Sequence, residues 1–464
     1  MPLLREAARP AAVREHRLAP WFAVGTVCFG AFMGQLDASI VTLAFPALQR
    51  QFGAGLAAVQ WVSLSYLLAL VALLVPVGRW SDRAGHKLIY LYGFVIFTAA
   101  SAGCGLAWSL GSLILLRVVQ AAGAAMLQAN SVALVTTSAP PGRRRAALGI
   151  QAAAQAFGLA LGPVVGGILL AAVGWRWIFM VNVPVGIVAV TAGWFLLPRT
   201  RHRSDRAGAD LAGLVLLAIA VTAGLLAVSA VSGLGLRASV VAACAALAIL
   251  AGAGLVWWER RATSPIVDLP LLIGGGMAAG LAGALCAYMV LFGPLVLFPQ
   301  LMEGPGHGPL RTGLILAALP AGFGIAAVAA ERVLPVRWSN GVRCAVGGIL
   351  AAGCAGALAI PASPAVTASL LGALGLALGI YIPANNAAIM SAVPHSRAAA
   401  AGALVNMARG LGTALGVAAV SLALHKQAGP GPAMLTLAAM ALAAALAGYA
   451  GRGRDQHGAI FDGV

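Results

Sequence analysis

The sequence predicts an all-α integral membrane protein: two six-helix bundles with a two-helix hairpin inserted between them, fourteen transmembrane helices in all. Three observations predict it. Apolar residues make up 61% of the chain and charged ones 9%, with a mean hydropathy of +0.95, whereas a soluble domain carries about 25% charged residues. The apolar residues fall in blocks of roughly 20, enough helix to cross about 30 Å of hydrocarbon. Short connections rich in Gly, Pro and Arg separate the blocks and leave no loop that could hold a soluble domain.

The first six blocks begin near Trp21, Leu56, Leu88, Leu110, Ala147 and Trp177. A basic run, Arg199, Arg201, Arg203 and Arg206, follows the sixth. A second, Arg260 and Arg261, follows the next pair of blocks, Leu211 to Val231 and Ala238 to Trp258. Both runs belong on the cytoplasmic side under the positive-inside rule, so an even number of crossings separates them and the pair reads as a hairpin. The last six blocks begin near Met277, Thr312, Val342, Val366, Ala400 and Ala433. The expected division is residues 1–200 for the N-terminal bundle, 201–265 for the hairpin and 266–464 for the C-terminal bundle. With the N-terminus in the cytoplasm most Lys and Arg fall inside, which places both termini there.

The two sets of six echo each other weakly. Asp82-Arg83 after the second block is matched by Glu331-Arg332 after the tenth. Pro141, Arg144 and Gly149 are matched by Pro394, Arg397 and Gly402, again about 250 positions later. Such duplicated halves are the plan of many secondary transporters, with the substrate site at mid-membrane between them.

A net charge of +17 would suit a nucleic-acid binder, but the basic residues are scattered through short loops, so no nucleic-acid partner is expected. The six cysteines, Cys28, Cys104, Cys244, Cys286, Cys344 and Cys354, all lie in apolar runs and read as small core residues. The seven histidines lie in tails and loops, so no metal site is expected. The leader Met1 to Pro20 carries Arg5, Arg9, Arg14 and Arg17 without a convincing cleavage site, and reads as a retained cytoplasmic tail.

Asp37 is the most informative residue. Of the twelve acids it alone sits well within an apolar run, from about Trp21 to Phe45. A charge at that depth costs a few kcal/mol and generally marks an ion pathway. The alternative is a carboxylate permanently paired with a buried cation, for which Arg117 and Arg409 are the available partners. Arg117 near the start of the fourth block needs a partner or a wet cavity, unless it snorkels to the interface.

The connection after the second block reads Gly78-Arg79-Trp80-Ser81-Asp82-Arg83-Ala84-Gly85-His86-Lys87. Its glycines permit a tight turn, and Asp82 can pair with a helix N-terminus or an arginine, as a latch between helix ends requires. This segment resembles the signature loop of the major facilitator superfamily, with His86 where a basic residue is usual and Lys87 left to supply the charge. Gly78, Asp82, Arg83, Gly85 and Lys87 are the latch residues that the resemblance implies. Arg117-Val118-Val119-Gln120 is similar to the fourth-helix motif of the same superfamily, in which the arginine takes part in proton coupling. Ala121 stands where glycine is usual.

The fifth block contains Gly158, Gly162, Pro163, Gly166 and Gly167. Small residues four apart let helices pack closely, and Pro163 bends its helix. The order Gly-x-x-x-Gly-Pro-x-x-Gly-Gly is similar to the antiporter motif of drug exporters. Leu36-Asp37-Ala38-Ser39-Ile40-Val41 through Pro46, and Trp175-Arg176-Trp177-Ile178-Phe179 with Asn182-Val183-Pro184, resemble the fourteen-helix drug:proton antiporter branch. The resemblance covers essentially the whole chain. It implies a major facilitator fold and a multi-pass protein of the cell membrane, working as a monomer. It further implies proton-coupled export of hydrophobic or amphiphilic drugs, with Asp37 carrying the proton and Arg117 tuning it. Trp61, Tyr66, Gln120, Phe157, Tyr288, Asn385, Asn406 and Arg409 are candidates to line the substrate cavity, and Gln300 and Asn386 are further polar groups of the second half.

No Gly-x-x-x-x-Gly-Lys loop is present, so the expected energy source is the proton gradient, with no cofactor. A proton-coupled uptake carrier or facilitator for a polar metabolite is the alternative, and would call for more intramembrane charge. A lipid-modifying membrane enzyme would need a His, Asp or Ser constellation at the membrane face, and none is found.

Overall fold

A computed structural model describes residues 9–140, 143–200, 210–231, 237–262, 276–302, 308–335, 337–393, 398–425 and 430–450. Helix is the regular secondary structure throughout these residues, joined by short turns. The long helices are α1 (Ala19–Ile40), α2 (Trp61–Ala84), α3 (His86–Gly105), α4 (Leu110–Ser138), α5 (Arg144–Ala172), α6 (Asn182–Leu196), α7 (Leu211–Val231) and α8 (Ala238–Glu259). They continue as α9 (Met277–Leu301), α10 (Pro309–Val333), α11 (Asn340–Ala357), α12 (Pro364–Ser391), α13 (Ala398–His425) and α14 (Pro430–Ala450). Among the described residues, twelve helices are long and apolar enough to cross a membrane, which makes this a multi-pass membrane protein. The segment Val215–Val228 of α7 is a shorter apolar stretch. Helix α11 has 18 residues, with Asn340 and Arg343 in its first turn.

Local chemistry sets several helix ends. Ser109 caps α4 in a reciprocal capping box with Ser112, and Ser339 and Ser363 cap α11 and α12. Gly85, at φ +103°, joins α2 to α3 in a conformation that L side chains rarely adopt. Helix α1 runs on through a 3-10 turn, Val41–Ala44, into Phe45–Phe52.

The chain divides into two compact units, Met1–Ala54 with Trp61–Ala209, and Gly55–Gln60 with Asp210–Val464. The second expected block, beginning near Leu56, is met by a span from Leu56 to Leu74, in which a short helix, Leu56–Val59, leads through Gln60 into α2.

Each unit repeats the same internal pairing. In the first, α1 packs on α5, α3 on α4, α2 on α4 and α6 on α3 and α1. In the second, α9 packs on α13, α11 on α12, α10 on α12 and α14 on α11 and α9. The corresponding seams are built from glycine. Gly158 faces the Phe32 carbonyl of α1, while Gly412 and Gly416 face the backbone of Leu285 and Met289 on α9. Close backbone approach is what associates helices in lipid, where burial of apolar surface gives little net drive. Helices α7 and α8 pair with each other, and α7 also touches α13. Only Ala251 and Glu259 of α8 are buried among the described residues.

Candidate functional site

The first unit holds a closed polar cluster in its apolar interior. Asp37 lies in the last turn of α1 and Arg117 two turns into α4. They are 0% and 1% exposed, and Arg117 Nη1 donates to Asp37 Oδ2 at 2.6 Å. Arg117 therefore does not snorkel. Gln120, three residues on and hence on the same helix face, links the two charges. Its Oε1 accepts from Arg117 Nη1 at 2.6 Å, and its Nε2 donates to Asp37 Oδ1 at 2.9 Å and to Ser101 Oγ of α3 at 2.8 Å. Asn182, the first residue of α6, donates from Nδ2 to the same Oδ1 at 3.1 Å. Arg117 Nε donates to the Val62 carbonyl of α2 at 2.9 Å. Its guanidinium lies 4.0 Å from the Tyr66 ring centroid and 5.8 Å from that of Phe179.

Such an enclosure satisfies what a buried ion pair needs. Removing two charges from water costs several kcal/mol each, recovered only when good geometry and further hydrogen bonds meet the remaining lone pairs and protons. Here the carboxylate takes three donors and the guanidinium gains two more acceptors and an aromatic face. The cluster can hold a charge pair in a water-poor interior. It can also offer a carboxylate whose neutral form would leave the arginine with other partners.

Of the residues expected to line a substrate cavity, Tyr66 and Gln120 are buried in this cluster. The Gln120 amide bridges the two charges, while Tyr66 turns its ring face to Arg117 and its hydroxyl has no partner among the described residues. Asn385 is buried and donates to the Gly280 carbonyl of α9 at 2.9 Å, tying α12 to α9. Phe157 is 66% exposed, while Trp61 is half-buried and its Nε1 has no partner among the described residues. Gln300 and Asn386 are half-buried too, each with one amide atom lacking a partner among the described residues. Arg409 is half-buried and lies 5.1 Å from the ring centroid of Tyr288 in the second unit, and Asn406 is half-buried one turn earlier. A cavity of about 330 Å³ in that unit is lined by Glu259 of α8 and otherwise by apolar side chains of α7, α8, α9 and α13, including Leu217, Leu285 and Met407. None of the eight expected cavity residues lines it.

The loop after α2 is placed in part. The side chains of Asp82 and Arg83 lie outside the described residues. A Cβ on Gly78 would meet only Ala129 Cβ, at 3.9 Å, so this glycine is not required by close packing. Lys87 differs most from expectation. It is 0% exposed, and its Nζ donates to the Trp194 and Leu197 carbonyls at 3.0 and 2.8 Å. It thus closes the C-terminus of α6, where a cation also meets the helix dipole, and is not a free charge on a loop. His86 Nδ1 lies 2.7 Å from Asn130 Oδ1.

The glycine series of α5 forms a seam on α1. Gly158 faces Phe32, Gly162 faces Ser39 and Ile40, and Gly166 faces Ile40, whose Cγ1 would lie 2.9 Å from an added Cβ. Gly167 is buried, and Pro163 lies inside α5. This seam runs along the stretch of α1 that carries Asp37.

Comparison with known proteins agrees with this architecture. Residues 27–417 match the family described as the Major Facilitator Superfamily. The tetracenomycin C resistance and export protein of Streptomyces glaucescens is 31% identical over 88% of this chain and 77% of its own length. The methylenomycin A resistance protein of Streptomyces coelicolor is 31% identical over 85% of this chain and 84% of its own. A riboflavin transporter of Clostridioides difficile is 28% identical over 86% and 87%. With a family match over most of its length and repeated six-helix packing in both units, this chain belongs to the Major Facilitator Superfamily and is a transporter, not an enzyme.

Proposed function

We propose that this protein is a proton-coupled antiporter of the fourteen-helix branch, exporting hydrophobic or amphiphilic small molecules such as antibiotics by alternating access. In this reading α7 and α8 are an inserted membrane hairpin, both termini are cytoplasmic and the protein resides in the plasma membrane. The observation that carries the reading is the sealed Asp37–Arg117 pair, a titratable group placed where a merely structural role would be met more cheaply by apolar packing. The names of the relatives from Streptomyces support export of antibiotics. A proton arriving from outside neutralises Asp37, Arg117 falls back on Gln120, Val62 and Tyr66, and the helices that met at the pair are free to rearrange. Asp82 serves as the charged element of a latch at the end of α2.

The riboflavin transporter among the relatives favours a second reading, a carrier for a polar heteroaromatic metabolite. Inside-out vesicles with an acid interior separate the two. Adding a substrate drawn from a growth-inhibition panel in an efflux-deficient host is expected to release protons from the lumen. Proton movement into the lumen together with the solute would contradict export by antiport.

A further inference from the structure

The segment Trp175 to Pro184, which resembles one in drug exporters, reaches into the buried cluster. Phe179 faces Arg117, and Asn182 is hydrogen-bonded to Asp37. Asn182 is 1% exposed, and its Oδ1 has no partner among the described residues. Packing alone does not explain an amide there, because a buried carbonyl left unpaired costs stability. Turning the amide over would set its oxygen against a carboxylate oxygen, so the donor orientation is dictated by charge.

The two carboxylate oxygens are consequently unlike. Oδ1 accepts from two neutral amides, Gln120 Nε2 and Asn182 Nδ2, whereas Oδ2 accepts from Arg117. We propose that Asn182 is a positioning residue of the coupling site: with Gln120 it fills Oδ1, so that the proton is taken up on Oδ2, the oxygen that holds Arg117. This inference rests on Asp37 being the proton carrier. Protonation forms the Oδ2–H bond with a proton from water. Arg117 Nη1 gives up its bond to Oδ2 and keeps the one to Gln120 Oε1, with Nε still on the Val62 carbonyl. Uptake of a proton on Oδ2 thereby removes the Arg117–Oδ2 hydrogen bond together with the charge, whereas protonation on Oδ1 would remove the charge and leave that hydrogen bond in place.

The other titratable or charged groups facing Asp37 among the described residues are Arg117 on α4, Tyr66 on α2 and Cys104 on α3, whose thiol lies 3.9 Å from Gln120 Oε1. Helices α5 and α6 carry none beyond Arg144 and Arg145 at the start of α5.

The test is a pH titration of the full-length protein in lipid, without substrate, read by difference infrared spectroscopy. The carboxylic acid C=O band absent from Asp37→Asn identifies the residue. In Asn182→Leu, which keeps the branching and heavy-atom count and removes the donor, the midpoint of that band is expected to move to higher pH by about one unit. Asn182→Ser, which restores a donor, is expected to recover part of the shift. An unmoved midpoint in Asn182→Leu, with thermal stability like wild type, would overturn the positioning role while leaving Asp37 as carrier. Absence of any titrating band assignable to Asp37 would overturn both this inference and the proton-coupled reading. Should Asn182→Leu fail to fold, the Ser variant and Gln120→Leu carry the same measurement, and unmoved midpoints in both would equally overturn it.

Discussion

Replacing Arg117 by Met removes the cation from a site where Asp37 is wholly buried. The carboxylate would then keep only the Gln120 and Asn182 amides, against three donors in the intact cluster. Breaking a buried pair by removing one partner costs about 3–5 kcal/mol, because the remaining charge is left uncompensated. Arg117 also loses its bond to Val62 and its stacking on Tyr66, worth on the order of 1 kcal/mol more. The loss should be larger at alkaline than at acid pH, since a neutral Asp37 needs no cation. Combining Arg117→Met with Asp37→Asn removes both charges, and a buried pair replaced by uncharged groups is often neutral in stability. Thermal unfolding of the four proteins in one detergent forms a double-mutant cycle. The expected outcome is a double variant more stable than Arg117→Met alone, with coupling of about 2–3 kcal/mol. Effects that add to within about 0.5 kcal/mol would show that the 2.6 Å contact does not govern the stability of this site.

Two further outcomes follow from packing. Gly158→Ala would drive a methyl into the Phe32 carbonyl of α1, which cannot move without moving the helix. It should cost about 1–3 kcal/mol, whereas Gly149→Ala on the same helix meets nothing within 4 Å and should be neutral or slightly stabilising. Equal unfolding temperatures for the two variants would contradict the α1–α5 seam. Lys87→Met should lower stability by about 2 kcal/mol, as the carbonyls of Trp194 and Leu197 lose a charged donor, and unchanged stability would mean that the lysine acts elsewhere.

Much of the architecture was legible because a membrane imposes length and apolarity on every crossing, and the expected blocks fall on helices. The Asp37–Arg117 relation was legible for a related reason, since charges are so scarce in the apolar runs that few pairings exist. Their hydrogen bond joins residues 80 apart, and that of Asn182 joins residues 145 apart. No periodicity reports such closures. The spacing of three between Arg117 and Gln120 puts both on one helix face, and that spacing is the sequence signal for the bridging role of Gln120. Ser101 and Phe179 carry no such mark, since a serine or phenylalanine in a transmembrane helix is ordinarily a packing residue. The sequence groups Lys87 with the latch residues and does not show that the end of α6 comes to lie beside it.

The central claim is that Asp37 carries the coupling proton. Asp37→Asn keeps the size of the side chain and its capacity to hydrogen-bond, but cannot release a proton. The measurement is uphill transport into inside-out vesicles, driven only by an imposed proton gradient, with a substrate identified in the growth panel and expression matched to wild type. The account predicts that uphill accumulation is abolished in Asp37→Asn, while exchange of labelled for unlabelled substrate persists. Uphill accumulation by Asp37→Asn at the wild-type rate would contradict it.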